Sequence, residues 1–149
     1  MHDRATVPRG CALFDEAATE VLREMAQAAQ AAGPDPRARL RAGINSFLDM
    51  LASHPDESQT LLVEIMAAGE RGADRRDSVM AAFAAAVDAE NATAARAGAL
   101  ARFASPEDSF AVVGAVAELA SRQLRLGKPA DVRDLEPVIE RLMAPTAMA

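Results

Sequence analysis

Residues of the kinds that most often carry catalysis or bind metals are few and scattered in this sequence. His2 and His54 are the only histidines, and Cys11 is the only cysteine, so no spaced cluster of zinc ligands exists. No serine stands in a glycine-flanked elbow, and no glycine-rich loop separates a strand from a helix. We therefore expect a protein that is not an enzyme and that holds no metal and no cofactor.

Two glutamates that lie inside apolar stretches are the charged residues that most suggest a role in binding. Glu64 is the single charged residue between Leu61 and Ala68. It either marks the exposed side of a short helix, or faces a hollow between helices, where it would orient a polar or cationic ligand. Glu118 poses the same choice: it either pairs with Arg122 along its helix or reaches across to a second subunit.

Bulky, deformable apolar side chains occur on four neighbouring predicted helices. Such a set is either plain core or the wall of a pocket, since alanine-rich helices leave space and methionine adapts to irregular cavities. On the second interpretation the chain holds a small hydrophobic molecule. The predicted pocket residues are Phe47, Met50, Glu64, Met66, Met80, Phe83 and Phe110.

Helical spacing of apolar residues, together with caps and breakers, predicts an all-α protein and no strands. Asp35 before Pro36, Ser105 before Pro106 and Asp131 mark helix starts, and Gly33 and Gly127 mark helix ends. Pro137 falls inside the last pattern, so either the first turn there is separate or the helix bends. The six predicted helices cover about 13–32, 36–53, 56–68, 74–98, 106–126 and 132–143.

The helix predicted for 106–126 organises this scheme, because it is apolar almost all round after its capped start. A helix without a polar face must be covered on more than one side. We expect the protein's own core on one side and a second copy of the chain on the other. The predicted dimer contacts are Val113, Gly114, Ala117, Glu118, Ala120, Ser121 and Leu124, joined by Val138 and Leu142 of the last helix.

Length and charge limit the remaining function classes. The chain has 149 residues, a formal net charge of −6 and no basic cluster. It therefore favours neither nucleic acid nor an anionic membrane as a direct partner. The lone cysteine and the absence of an apolar leader at the N-terminus favour a cytoplasmic location. We expect one helical domain at 13–143, an irregular lead-in at 1–12 and a loose tail at 144–149.

The order of these elements resembles the C-terminal, ligand-binding and dimerisation half of TetR/AcrR-type transcriptional regulators. The resemblance covers about residues 13 to 143. The stretches that carry it are Ala12 to Ala17, Leu51 to Pro55, Leu61 to Ile65, Phe103 to Glu107, Val113 to Glu118 and Gly127 to Leu142.

This resemblance implies a homodimer in which the last two helices of each subunit form a four-helix bundle. It also implies an effector pocket walled by the second to fifth helices. The family's helix-turn-helix domain should precede Leu13, and the few residues there cannot form it. The chain is then either a fragment or mis-started reading frame, or a free-standing sensor, and DNA is reached only through a separate head. The alternative is a helical protein-interaction module without a ligand, which includes pairing with a full-length regulator.

Overall fold

Helices are the only regular elements of the residues that the computed structural model describes, which are 9–63 and 69–144, with side chains described from residue 15 onward. The predicted all-α class and the number of helices are confirmed for these residues. The helices are α1 (Arg9–Ala31), α2 (Pro36–Ser53), α3 (Pro55–Leu62), α4 (Glu70–Arg96), α5 (Pro106–Leu126) and α6 (Glu136–Met143), with a 3-10 turn at Val132–Leu135 before α6.

The predicted caps define most of these boundaries. The Asp35 carboxylate accepts a hydrogen bond from the Ala38 amide at 3.1 Å, and Asp131 accepts one from the Arg133 amide at 2.9 Å. Gly127 ends α5 in the left-handed conformation, with φ of 63°, which favours glycine. Local side-chain chemistry therefore sets the start of α2, the start of the 3-10 turn and the end of α5.

Two predicted helix starts differ from the structure. The first helix begins at Arg9, inside the stretch predicted to be irregular, because a glycine in the first turn weakens a helix without ending it. Likewise α4 begins at Glu70 and includes Gly72, which was predicted as part of a loop and is buried in the first turn. At the other end of the chain, Pro137 lies in the first turn of α6, so a separate preceding turn, one of the two predicted alternatives, is confirmed.

The core lies where α2, α5 and the last two elements meet. Two ion pairs hold α6 and the 3-10 turn antiparallel to α2: Arg41 with Glu140 at 3.0 Å and Asp49 with Arg133 at 2.8 Å. Apolar side chains from these elements fill the space between them. The most buried members are Ile44, Leu48, Leu51, Ala120, Val132, Leu135 and Ile139.

A second, smaller cluster joins α4 to α5, through Met80 and Ala84 on one helix and Val113 and Ala117 on the other. Its alanines are small, so α4 and α5 meet with little bulk between them. Among the helices that the structure describes, none is long and apolar enough to cross a lipid bilayer.

Candidate functional site

A cavity of about 110 Å³ lies between α2, α4, α5 and α6. Its walls are almost wholly apolar, and side chains of α1 and α3 complete them. The wall residues are Met25, Ile44, Phe47, Leu61, Leu62, Arg76, Val79, Met80, Phe83, Val87, Val113, Val116, Ala117, Glu118, Ser121, Ile139 and Met143. We call this space the first cavity.

A second cavity of about 270 Å³ lies between α1, α2 and α4, and it adjoins the first. The two share Met25, Ile44, Phe83, Val87 and Met143 as walls. The first cavity alone is smaller than the roughly 150 Å³ engineered cavity that binds benzene. Both together reach the lower end of the roughly 300–1,000 Å³ that is usual for ligand pockets. A ligand larger than a single ring therefore does not fit in the first cavity alone and must occupy the second.

The sequence leaves this space open because small and large side chains alternate around it. Ala117 on α5 and Gly43 on α2 bring little volume to the walls. Phe47 and Phe83 meet across the first cavity with ring centroids 6.4 Å apart and planes at 66°, an edge-to-face contact. This contact holds two wall rings in fixed orientations without filling the space between the helices.

The polar groups of the first cavity gather at one end. Ser109 donates a hydrogen bond to Asp88 at 3.0 Å, which fixes where α5 passes α4. The two helices run in opposite directions. A residue that precedes Asp88 on α4 therefore lies level with the residue that follows Ser109 on α5 by the same number of positions. Arg76 is thus level with Ser121 and close to the level of Glu118, while the remainder of the wall is apolar.

The structure brings together some of the predicted pocket residues and separates others. Phe47, Met80 and Phe83 all line the first cavity. Met50 lies on a different side of α2, near Glu24 and His54, because it is one residue, or about 100°, away from the core position Leu51. Phe110 is 41% exposed and lies outside both cavities, on the outer side of α5. Glu64 and Met66 lie outside the described residues.

Sequence reasoning missed the wall residues of α5 and Arg76. Val113 and Ala117 were predicted as dimer contacts, yet both are buried within the chain and face α4. Arg76, Val79, Met80 and Phe83 have the spacing i, i+3, i+4, i+7, which places them on one face of α4. This spacing is the signal in the sequence that could have assigned Arg76 to the wall.

The outer side of α5 is the other feature with a functional implication. Among the described residues, Phe110 and Leu126, which is 57% exposed, are the large apolar side chains most open to solvent, and both belong to α5. Gly114 and Ser121 follow Phe110 at helical spacing and are partly exposed. This side of α5 therefore has small side chains along most of its length and an aromatic ring at one end.

The predicted dimer residues divide between this side and the interior. Ala120 has no exposed surface, and Val113 and Ala117 face α4, so these three do not belong to the outer side. Partly exposed positions are Gly114, Ser121, Leu124, Val138 and Leu142. Glu118 is exposed, and its carboxylate lies 3.8 Å from Arg125, two turns along the helix, rather than pairing with Arg122.

A polar network fastens the connection between α4 and α5. Arg102 donates two hydrogen bonds to the Asp88 carboxylate, at 2.8 and 3.0 Å, and Ser109 donates to the same group. The Arg102 guanidinium, helped by the Ser109 hydroxyl, holds the pKa of Asp88 below its usual value. Asn91 is 3% exposed; its amide donates to the Ala101 carbonyl at 2.9 Å, and its carbonyl oxygen accepts from the Phe103 amide at 2.9 Å. All these donors and acceptors pair with groups of the same chain, so the network has a structural role.

A carboxylate pair lies at the junction of α2 and α6. Burial raises the pKa of Glu136, while the hydrogen bond from Arg41 lowers the pKa of Glu140. Oε1 of Glu136 is buried and has no hydrogen-bond partner in the described part of the chain. Within 15–63 and 69–144, where side chains are described, no three histidine, cysteine, aspartate or glutamate side chains come together as a metal site would require. The pair lies apart from both cavities and connects two helices.

No protein-family model, no curated protein and no solved structure matches this chain. Evidence on function therefore comes from the two cavities, the exposed side of α5 and the resemblance in the sequence.

Proposed function

We propose that this chain is the effector-binding and dimerisation domain of a TetR-type transcriptional regulator, and that its effector is a small hydrophobic molecule held in the two adjoining cavities. The observation that carries the proposal is the cavity pair itself. It lies between helices α1, α2, α4, α5 and α6, and its walls are mostly apolar. Polar groups lie at one end of the first cavity, and the second cavity carries the paired Arg39 and Glu90. Binding sites for small molecules in helical proteins have this composition.

The position of the cavities supports a role in signalling. The first cavity has α5 as one wall, and the surface that we propose for dimerisation adjoins that wall on the same helix. Phe110 lies seven residues, about two turns, before the wall residue Ala117, and Ser121 belongs to both surfaces. A ligand that enters between α4 and α5 changes the packing of α5, because closely packed helices transmit displacements. Occupancy of the cavity is thereby coupled to the geometry of the dimer and, through it, to a separate DNA-reading head.

Ligand binding is tested by thermal unfolding in the presence of hydrophobic small molecules, with a variant that fills the cavity. A ligand at about one hundred times its Kd stabilises the folded state by about 2.7 kcal/mol, which raises Tm by about 5 to 10 °C for a domain of this size. Ala117→Leu should fill part of the first cavity and remove this ligand-induced rise. Ala81→Leu places the same side chain at an exposed position on α4 and should leave it unchanged.

Dimerisation is tested by sedimentation of Gly114→Arg. A Cβ at Gly114 would meet no atom within 4 Å, so the single chain accommodates a side chain there. Replacing a mid-helix glycine should also favour the folded chain, by about 0.5 to 1 kcal/mol. We expect the unsubstituted chain to sediment as a dimer at micromolar concentration and Gly114→Arg as a folded monomer. An unsubstituted chain that stays monomeric at high concentration contradicts the dimer.

A protein-interaction module without a small-molecule ligand is the second candidate, and the exposed Phe110 and Leu126 favour it. It predicts no ligand-induced rise in Tm for any compound. It still predicts a partner on α5, either a second copy or a full-length regulator. The thermal-shift measurement with Ala117→Leu therefore separates the two candidates, while sedimentation alone does not.

A further inference from the structure

The first cavity has two chemically different ends. Arg76 stands on its wall at the level of Ser121, with Glu118 about one helical turn away. Phe83 and Val87 line both cavities, and the second cavity continues along α4 as far as Ala94. The charged groups on the wall of the second cavity, Arg39 and Glu90, pair with each other at 2.9 Å. From Arg76 to Ala94, α4 rises about 27 Å at about 1.5 Å per residue. The combined space is therefore elongated, and Arg76 lies at one end of it.

The ion pairs around this end determine the sign of the charge that a ligand meets. Glu118 lies 3.8 Å from Arg125, so its carboxylate already has a cationic neighbour. The adjacent Arg75 pairs with Asp15 at 2.9 Å. Arg76 is half-buried and, among the residues that the structure describes, makes no ion pair. A guanidinium on an apolar wall binds an anionic group more strongly than a neutral one, because its forked N–H donors match the oxygens of a carboxylate or phosphate. Little water is present there to compete for these hydrogen bonds.

We infer that the ligand is a linear anionic amphiphile, with a carboxylate-type head at Arg76 and an aliphatic chain that extends past Phe83 into the second cavity. This inference rests on the proposed function and names the chemical class of its ligand. The chain length follows from the elongated space, and the charge of the head follows from Arg76.

Titration calorimetry with three probes of one chain length tests the inference: dodecanoate, dodecylammonium and 1-dodecanol, each below the concentration at which it aggregates. We expect dodecanoate to bind most tightly. Arg76→Gln should weaken dodecanoate about tenfold, about 1.4 kcal/mol, and leave dodecanol unchanged. Arg76→Lys keeps the charge without the fork and should recover part of the loss.

Arg71→Gln is the matched control, because Arg71 is an exposed arginine on the same helix and outside the cavity wall. The Kd of Arg71→Gln for dodecanoate should stay within about twofold of that of the unsubstituted chain. This result would exclude the change in net charge as the cause of the weaker binding of Arg76→Gln. The folded state of each variant is checked by circular dichroism, and Arg76→Lys keeps the test informative if Arg76→Gln unfolds.

The outcomes separate this inference from the proposed function. If the three probes bind equally well, or Arg76→Gln affects all of them alike, the anionic head is wrong and the hydrophobic pocket stands. Tighter binding of dodecylammonium also overturns the inference, and favours the cationic ligand predicted from Glu64. If no probe binds and the wider thermal screen is also negative, both the ligand class and the small-molecule function fail.

Discussion

Asn91 is the residue on which the connection between α4 and α5 depends most. Its side chain is buried and satisfies a backbone carbonyl and a backbone amide of the loop, at Ala101 and Phe103. Asn91→Ala leaves both groups unpaired inside the protein, so we expect a loss of about 2 to 3 kcal/mol in urea unfolding. Asn45→Ala, an exposed asparagine on α2, should cost less than about 0.5 kcal/mol. Equal losses would mean that the Asn91 hydrogen bonds add nothing to stability.

Asp88 makes the same connection sensitive to pH. Its pKa in the folded protein lies below its usual value of about 3.9, because Arg102 donates to its carboxylate. The unfolded chain therefore binds the proton at a higher pH than the folded chain, and the stabilisation is complete above about pH 5 and lost as pH falls through the folded pKa. We expect Asp88→Asn to be less stable than the unsubstituted chain at pH 7, and this difference to narrow by pH 3. Asp77→Asn, at an exposed position on the same helix, should show no such narrowing in urea unfolding.

The sequence could not predict this network or the position of Phe110. Asp88, Asn91, Arg102 and Ser109 come from two helices and a loop, and no spacing along the chain connects them. Phe110 was predicted as a pocket residue because it is a bulky apolar side chain on one of the helices expected to wall the pocket. Since α5 is apolar on nearly every side, its pattern does not indicate which side faces the core. Only the packing of α4 against Val113 and Ala117 determines that.

At the level of elements, the start of α5 is the best-defined helix end in the structure. The Asp108 carboxylate accepts hydrogen bonds from the amides of Ala104 and Ser105, at 2.8 and 3.1 Å. It thereby satisfies donors that the helix itself cannot pair. Asp108→Ala should cost about 1 kcal/mol in urea unfolding and speed hydrogen exchange at both amides. Glu107→Ala removes an exposed carboxylate from the same turn and should leave both exchange rates unchanged; faster exchange in both variants would contradict the role of Asp108.

Elements were more predictable than sites because their ends depend on local chemistry. Asp35, Asp131 and Gly127 act within a few residues of their own position, and each prediction based on them is confirmed. Glycine was less informative: Gly72 was predicted to belong to a loop, yet it is buried in the first turn of α4. A buried glycine inside a helix depends on its neighbours in space, which periodicity does not reveal.

At the scale of the whole molecule, the proposed account joins two features on adjoining sides of α5. The side with Val113 and Ala117 helps to wall the first cavity, and the side next to it presents Phe110 and Gly114 to solvent. The sequence predicted that this helix has two covered sides but assigned several residues to the wrong one. The inner cover is now defined by Val112, Val116 and Ala120, which belong to the core. The outer cover stays a prediction, tested by sedimentation of Gly114→Arg.

The central claim is that an apolar ligand chain occupies the space beside Phe83. The chain contains no tryptophan, so Phe83→Trp introduces a single fluorescent reporter on the wall shared by both cavities, and Phe110→Trp introduces the same reporter on the outer side of α5. Dodecanol with a bromine at the end of its chain quenches tryptophan on contact. Saturable quenching at position 83, with far weaker and unsaturable quenching at position 110, is the predicted result. Equal quenching at both positions, or none at position 83, would contradict the account.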